Sequence, residues 1–249
     1  MTDILPDTAI DCEQRLTALR REFTQFVRTT AHELRNPVQT VLGLSEIMEG
    51  DEPPERLNHA LIRMRRDAAR LAEVVDDLYF RAELAAGDLR MECRPFGLDD
   101  LLAEVGLTIE HMYPSQLLLE YGQLPEVVGD VDHVRKILVN LLLNAMRSSE
   151  VTNDRLVRLI AAVELAPWRV EIRVHDLAQL IPDEFCEAVF QPMAELPREI
   201  GHPRFGLGLG LHVGRLIARQ MGGDLWLGRA DHGSVGNMFA LSLPCAPTR

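Results

Sequence analysis

Paired cysteines are the first thing this chain lacks. Its four cysteines, Cys12, Cys93, Cys186 and Cys245, lie far apart and form no C-x-x-C pair. That spacing excludes a zinc knuckle and a small disulfide scaffold, so reduced thiols in a cytoplasmic protein are expected. Long apolar runs are missing too, and no stretch reaches the about 18 apolar residues that a membrane span needs. The first residues carry Asp3, Asp7 and Asp11 with no basic start and no apolar core, unlike a signal peptide. Positive charge is in deficit, with 26 Lys and Arg against 38 Asp and Glu and a net charge of −12. A nucleic-acid binder that works through bulk charge is thereby excluded. What remains is ordinary globular composition, 47% hydrophobic and 26% charged over 249 residues, enough for one large domain or two small ones.

The pattern divides the chain into a short arm, a helical stretch and a mixed remainder. Residues 1–11 form a flexible arm in which Pro6 argues against helix. Leu16, Leu19, Phe23, Val27, Ala31, Leu34, Val38, Val41, Ser45 and Met48 then recur at steps of three and four, one apolar stripe on one long helix. Glu49-Gly50-Asp51-Glu52-Pro53-Pro54 is a turn. Beyond it Leu57, Leu61, Met64, Ala68, Leu71, Val75, Leu78, Ala82 and Ala85 keep steps of four and three. Two antiparallel helices with one seam each cannot close a core alone, whereas two copies make a four-helix bundle. Residues 12–86 are therefore expected to form a homodimer.

Within the first helix stands Ala31-His32-Glu33-Leu34-Arg35-Asn36-Pro37. Positions four apart share a helix face, which puts His32 and Asn36 together with Glu33 beside them. The steps of four and four at Phe23, Val27 and Ala31 break the strict heptad and turn His32 to an accessible edge of the stripe. Pro37 should bend or loosen the helix at the histidine. Imidazole, carboxylate and amide at such a turn are a candidate nucleophile, base and water-positioning group. A lone helical histidine is more often ordinary surface, so the rest of the chain has to decide.

Residues 87–249 read as strands and helices without βαβ alternation, an α+β pattern with helices on one face of a mixed sheet. Strands are expected at Met91–Phe96, Leu117–Tyr121, Leu156–Leu165, Trp168–His175, Asp224–Gly228 and Gly236–Leu243. Helices are expected at Leu98–Met112, Asp132–Ser148, near Asp183–Val189, and at Leu209–Met221. In Asp132–Ser148, Lys136, Asn140, Asn144 and Arg147 share one face and Ile137, Leu138, Leu141, Leu142 and Ala145 the other. Two stacked amides flanked by cations suit a Mg²⁺–triphosphate, since Mg²⁺ takes hard oxygen ligands, and mid-helix asparagines are otherwise unfavourable. Gly206, Gly208 and Gly210 precede a helix, where glycine lets backbone N–H groups approach a phosphate. Pro192, Pro197, Gly201 and Pro203 mark a loop beside that site, a candidate lid.

Taken in order, these segments resemble the catalytic core of a two-component sensor histidine kinase. The resemblance runs from about residue 12 to the end and rests on Phe26–Pro37, on Lys136–Arg147, and on Gly206–Leu211 with Gly236–Pro244. It implies a dimeric phosphotransfer hairpin over 12–86. After it, an α/β sandwich ATPase domain of the gyrase, Hsp90 and histidine-kinase (GHKL) type would occupy 87–249. It implies His32 as the nucleophile toward the γ-phosphate of ATP, Glu33 as base, and Asn36 as the group that positions water in dephosphorylation. Lys136, Asn140, Asn144, Arg147, Asp176, Gly206, Gly208 and Gly210 would bind nucleotide, with Asn144 on Mg²⁺ and Asp176 on the adenine amino group. The partner would be the receiver domain of a response regulator. No sensor domain is expected ahead of the hairpin, so the signal would come from a separate partner, from the short arm or from a larger assembly.

One box departs from the family. Asp-x-Gly-x-Gly is replaced by Asp176-Leu177-Ala178-Gln179-Leu180, which removes two turn glycines and sets Leu180 where it could fill nucleotide space. The alternatives are an ATP-independent phosphotransfer protein or phosphatase, and a dimeric scaffold without chemistry.

Overall fold

The computed structural model describes residues 17, 24, 27–28, 30–32, 34–46, 53–86, 90–114, 116–151, 156–165, 168–192, 194, 208–229 and 236–247. Two compact units emerge, Met1–Val74 and Val75–Arg249. The expected arm and the Glu49–Glu52 part of the turn lie outside the described residues.

In the first unit every described residue from 17 to 46 is helical, here α1. Pro37 does not end this helix. Thr40 Oγ1 donates to the Asn36 carbonyl at 3.2 Å and Ser45 Oγ to the Leu42 carbonyl at 2.7 Å, hydroxyls turned back onto their own helix. Helix α2 spans Pro54–Ala86 and continues past the boundary between the units. Proline at its first position is pre-shaped for a helix start, and Arg56 and Leu57 N–H bond the Pro53 carbonyl.

The expected seams are not buried in a single chain. Val27, Val38, Leu61 and Val75 are all exposed, Val75 by 54%. Among the described residues the buried positions are Thr30 and Pro37 in α1 and Ala60, Val74 and Phe80 in α2. Ala60 and Val74 stand one residue ahead of the expected Leu61 and Val75, and Phe80 falls between the expected Leu78 and Ala82. Leu61, Ala68, Val75 and Ala82, spaced by seven, form an exposed row beside them.

The second unit is a mixed sheet under a layer of helices. Its elements are β1 (Arg94–Phe96), α3 (Leu98–Met112), β2 (Leu117–Tyr121), β3 (Val127–Gly129), α4 (Val131–Val151), β4 (Val157–Leu165) and β5 (Trp168–His175). After two short 3-10 turns, Asp183–Phe185 and Ala188–Phe190, come α5 (Gly210–Gln220), β6 (Asp224–Gly228) and β7 (Met238–Pro244). The five-stranded sheet runs β2-β4-β5-β7-β6, with β1 and β3 paired separately. Only β2 and β4 are parallel, and the crossover between them carries β3 and α4. α3 packs on β2, α4 on β4 and β5, and α5 on β6 and β7.

The core explains why α4 sits centrally. Leu138, Leu142 and Met146 are fully buried, and Ile137, Leu141 and Ala145 nearly so. Opposite them Val170, Ile172 and Val174 of β5 are buried while Arg169, Glu171 and Arg173 alternate outward. A helix near Asp183–Val189 was expected. Pro182 and the short apolar pattern give two 3-10 turns instead. Among the described residues no helix is long and apolar enough to cross a membrane.

Candidate functional site

On α1 the expected pair is together. His32 and Asn36 are both exposed, and Asn36 Nδ2 stands 3.1 Å from His32 Nδ1. The neighbouring Thr30 and Pro37 are buried, so the turn has one covered and one open side. The amide engages one ring nitrogen, and Nε2 takes no part in that bond. An amide N–H can only donate, so this pair holds the ring's orientation and keeps the neutral ring's proton on Nε2. Glu33 lies outside the described residues.

A second cluster forms where α4 meets the start of α5. Asp130 caps α4: its Oδ1 accepts the N–H groups of Asp132 at 3.1 Å and His133 at 3.2 Å, and its Oδ2 accepts that of Glu92 at 2.9 Å. Burial alone would raise its pKa, but these bonds and the His133 ring hold it below the usual value. About three turns further along the helix, Asn144 Nδ2 donates to Asn140 Oδ1 at 3.3 Å. Asn140 Nδ2 is buried and has no partner among the described residues. Lys136 is exposed and Arg147 buried, 7% accessible.

The glycine stretch comes to this helix. A Cβ placed on Gly210 would lie 2.5 Å from Asn140 Oδ1, so only glycine fits without moving the amide. Leu209 beside it is buried. Gly208, Gly210, Asn140 and Asn144 thus belong to one neighbourhood, while Gly206 lies outside the described residues. An orphaned amide donor beside a backbone approach fits an anionic oxygen such as phosphate. Asn140 and Asn144 also supply carboxamide oxygens, the hard donors that Mg²⁺ prefers.

A third cluster surrounds Asp176, which is 3% exposed. Ala178 N–H donates to its Oδ1 at 3.0 Å, closing the turn that the missing glycines would otherwise make. Leu180 is 48% exposed, so its side chain is not packed into the domain. Sequence reasoning missed Asn237. This residue is 1% exposed and donates from Nδ2 to Asp176 Oδ1 at 3.0 Å. Its signal was weak: the sequence pattern places it inside the expected strand Gly236–Leu243, where a lone asparagine carries no sign of a distant partner.

The far end of α5 is tied down by charge. Arg215 bonds Glu187 at 2.7 Å and Asp224 at 3.2 Å, and lies 4.7 Å over the Phe190 ring. His212 Nδ1 is 2.9 Å from the Phe190 carbonyl. Arg215 holds the Glu187 carboxyl below the usual range. Burial pushes Asp224 upward, but Arg219, the Leu225 N–H and Arg215 outweigh it and lower its pKa. Most of the expected lid lies outside the described residues.

Comparison with known proteins covers most of the chain. Residues 24–87 match the His Kinase A (phospho-acceptor) domain, and residues 129–247 match the Histidine kinase-, DNA gyrase B-, and HSP90-like ATPase. The chain is 27% identical over 219 residues to the signal transduction histidine-protein kinase BarA of Escherichia coli (strain K12), covering 86% of this chain and 24% of that protein. It is 25% identical over 232 residues to the sensor histidine kinase GacS of Pseudomonas protegens, covering 91% and 25%. It therefore spans about a quarter of the length of these relatives. The fold is shared with full-length ShkA in complex with AMPPNP (TM-score 0.58, 22% identity, 90% of this chain and 46% of that one). It is shared too with the histidine kinase AdeS of Acinetobacter baumannii (TM-score 0.56, 20% identity, 87% and 98%). With both domains present in the same order as its boxes, the chain belongs to the two-component histidine kinases and carries their catalytic core.

Proposed function

We propose that this protein autophosphorylates His32 from ATP and passes the phosphoryl group to an aspartate of a response-regulator receiver domain. The observation that carries the reading is the meeting of Gly210 with Asn140 on α4, beside an orphaned amide donor, in a chain that also presents an exposed His32 hydrogen-bonded to Asn36. The domain boundaries that go with it are 12–86 for the hairpin and 87–249 for the nucleotide domain.

For the transfer the ring leaves the Asn36 amide for the tautomer protonated on Nδ1, which frees the Nε2 lone pair. His32 Nε2 then attacks the γ-phosphorus, the bond from that phosphorus to the β–γ bridging oxygen breaks, ADP leaves with its electron pair, and the Nδ1 proton passes to Glu33. Little covalent work falls to the nucleotide domain, whose task is positioning and charge neutralisation. Asn144, helped by Asn140, would hold Mg²⁺, Lys136 and Arg147 would add positive charge, and the backbone at Gly206, Gly208 and Gly210 would cradle the phosphates. Bound Mg²⁺ would neutralise charge on the transferring group. Asp176 accepts from the adenine amino group. In a separate hydrolytic step Asn36 orients a water toward the phosphoaspartate of the receiver; water attacks the phosphorus, the aspartate carboxylate leaves, and phosphate is released, giving phosphatase activity.

The exposed rows on α1 and α2 support a homodimer, since apolar side chains at heptad spacing gain by meeting a second copy. Incubation of the full chain with γ-labelled ATP and Mg²⁺ tests the kinase reading. Label should enter wild type and not His32→Ala, and should chase onto an added receiver domain. Equal labelling of both proteins defeats it. Failure to bind ATP, with transfer to His32 from a phosphorylated receiver, favours the ATP-independent phosphotransfer reading.

A further inference from the structure

The loss of both glycines after Asp176 should leave the adenine side of the pocket badly shaped, yet the turn over residues 176–181 is held at several points by one side chain. Asn237 Nδ2 donates to Asp176 Oδ1 at 3.0 Å and to the Gln179 carbonyl at 3.1 Å. Its Oδ1 accepts the Ile181 N–H at 2.8 Å. Its carbonyl accepts the Asp176 N–H at 3.0 Å, and its own N–H points back at Asp176 Oδ1 at 3.4 Å. Gly236, at φ +105°, brings the backbone close enough that any Cβ there would collide with the Asp176 carbonyl.

We propose that the carboxamide of Asn237 is a positioning residue for the nucleotide: it replaces the two missing glycines by pinning the 176–181 turn and aiming Asp176. This rests on the kinase reading above. A carboxamide has two N–H donors and an acceptor oxygen, enough to donate twice and accept once, as Asn237 does here. A threonine or serine hydroxyl has one donor, and a carboxylate has none unless protonated. The three bonds also differ in what they set. The bond to Asp176 Oδ1 fixes the carboxylate's rotation, while the bonds to Gln179 and Ile181 fix the path of a segment whose non-glycine residues do not choose that path themselves. In a buried pocket such a fully satisfied network specifies one geometry.

The test uses the full chain and four variants: Asn237→Thr, Asn237→Asp, the pair Ala178→Gly with Leu180→Gly, and that pair combined with Asn237→Thr. Binding of a fluorescent ATP analogue, KM and kcat for labelling of His32, thermal melts, and amide exchange at Ala178 and Ile181 are read. Asn237→Thr should weaken nucleotide binding and raise KM at least tenfold, with kcat at saturating ATP changed less than threefold and Ile181 protection lost. Restoring the glycines should shrink that penalty to under threefold. Asn237→Asp sets a second carboxylate against Asp176, so its binding should recover as the pH falls and one of the two takes a proton. A merely structural role would show neither the rescue nor the new pH dependence. Wild-type affinity in Asn237→Thr, an equal penalty with the glycines restored, or an Ile181 amide unprotected in wild type overturns the proposal. If Asn237→Thr unfolds, Asn237→Asp at low pH and Ile181 exchange in wild type decide it. Wild-type protein that binds no nucleotide overturns the kinase reading, and Ile181 exchange then still decides whether Asn237 pins the turn.

Discussion

The helical hairpin and the sheet domain differ in where their apolar residues end up. In the sheet domain, α4 presents Leu138, Leu142 and Met146 to β4 and β5 and all three are fully buried. On the hairpin, Val38, Leu42, Leu61, Val75 and Tyr79 are more than a third exposed. One region closes its own core, and the other offers a face that the described residues leave exposed. Under the proposed function that difference is a division of labour, with a self-contained domain for a small ligand and an open helical face for a reactive side chain and a protein partner.

The sharpest way to break the comparison is at His32. It is exposed and makes one side-chain bond, so His32→Ala should change stability by no more than about 0.5 kcal/mol. Its phosphorylation should fall to background, read by label incorporation alongside a thermal melt. A core residue behaves oppositely. Leu138→Ala removes a side chain with no exposure and should cost about 2–5 kcal/mol. Denaturant melts of the full chain should show the sheet-domain transition shifted and helical signal from the hairpin kept. A single shifted transition would mean that the two regions unfold together.

Interface chemistry should rank next. Val75 is 54% exposed in one chain. If it is covered by a second copy, Val75→Asp removes about 1.5 kcal/mol or more from each of two equivalent sites. Dimer affinity should drop about 100-fold, measured by sedimentation, with the sheet domain's melt unchanged. A monomeric wild type would leave the exposed row without this explanation.

How far the sequence reached follows the same divide. β2, α3, β5 and β6 stand where their patterns placed them, because each has a clean period and a partner inside its own chain. The asparagine face of α4 was legible because asparagine is unfavourable mid-helix and draws notice there. The hairpin helices were legible as helices. Which of their faces is covered was not, because periodicity records that a face is apolar and not what covers it. Ala60 and Val74, one step off the expected row, are the result. Asn237 was invisible for another reason: its partners at 176, 179 and 181 are joined to it by tertiary contact alone.

Within the sheet domain the comparison can be sharpened at the contact between Gly210 and Asn140. Gly210→Ala puts a methyl 2.5 Å from Asn140 Oδ1. Displacing that amide should cost about 1–3 kcal/mol and weaken nucleotide binding about tenfold or more. Ala at a first helical turn is otherwise favourable to the helix. A melt that rises, with binding intact, would show that the amide has room to move.

The smallest effect belongs to the charge clamp on α5, and it tests whether the sheet domain's stability is apolar, as its core implies. Asp224 bonds Arg215 and Arg219. Its pKa lies below the ordinary 3.8, with burial opposing and hydrogen bonds and positive charge prevailing. A carboxylate lowered by folding stabilises fully above its unfolded pKa and loses that contribution as the pH falls through the lower folded value. The side chain is 38% exposed, so solvent screening limits the gain to no more than about 1 kcal/mol. Asp224→Asn keeps an acceptor for Leu225 N–H and removes the charge. The gap in melting temperature between wild type and Asp224→Asn should be constant above about pH 5 and should close in more acidic buffer. A gap that instead widened on acidification would reverse the sign and show that burial, and not the two arginines, governs this carboxyl.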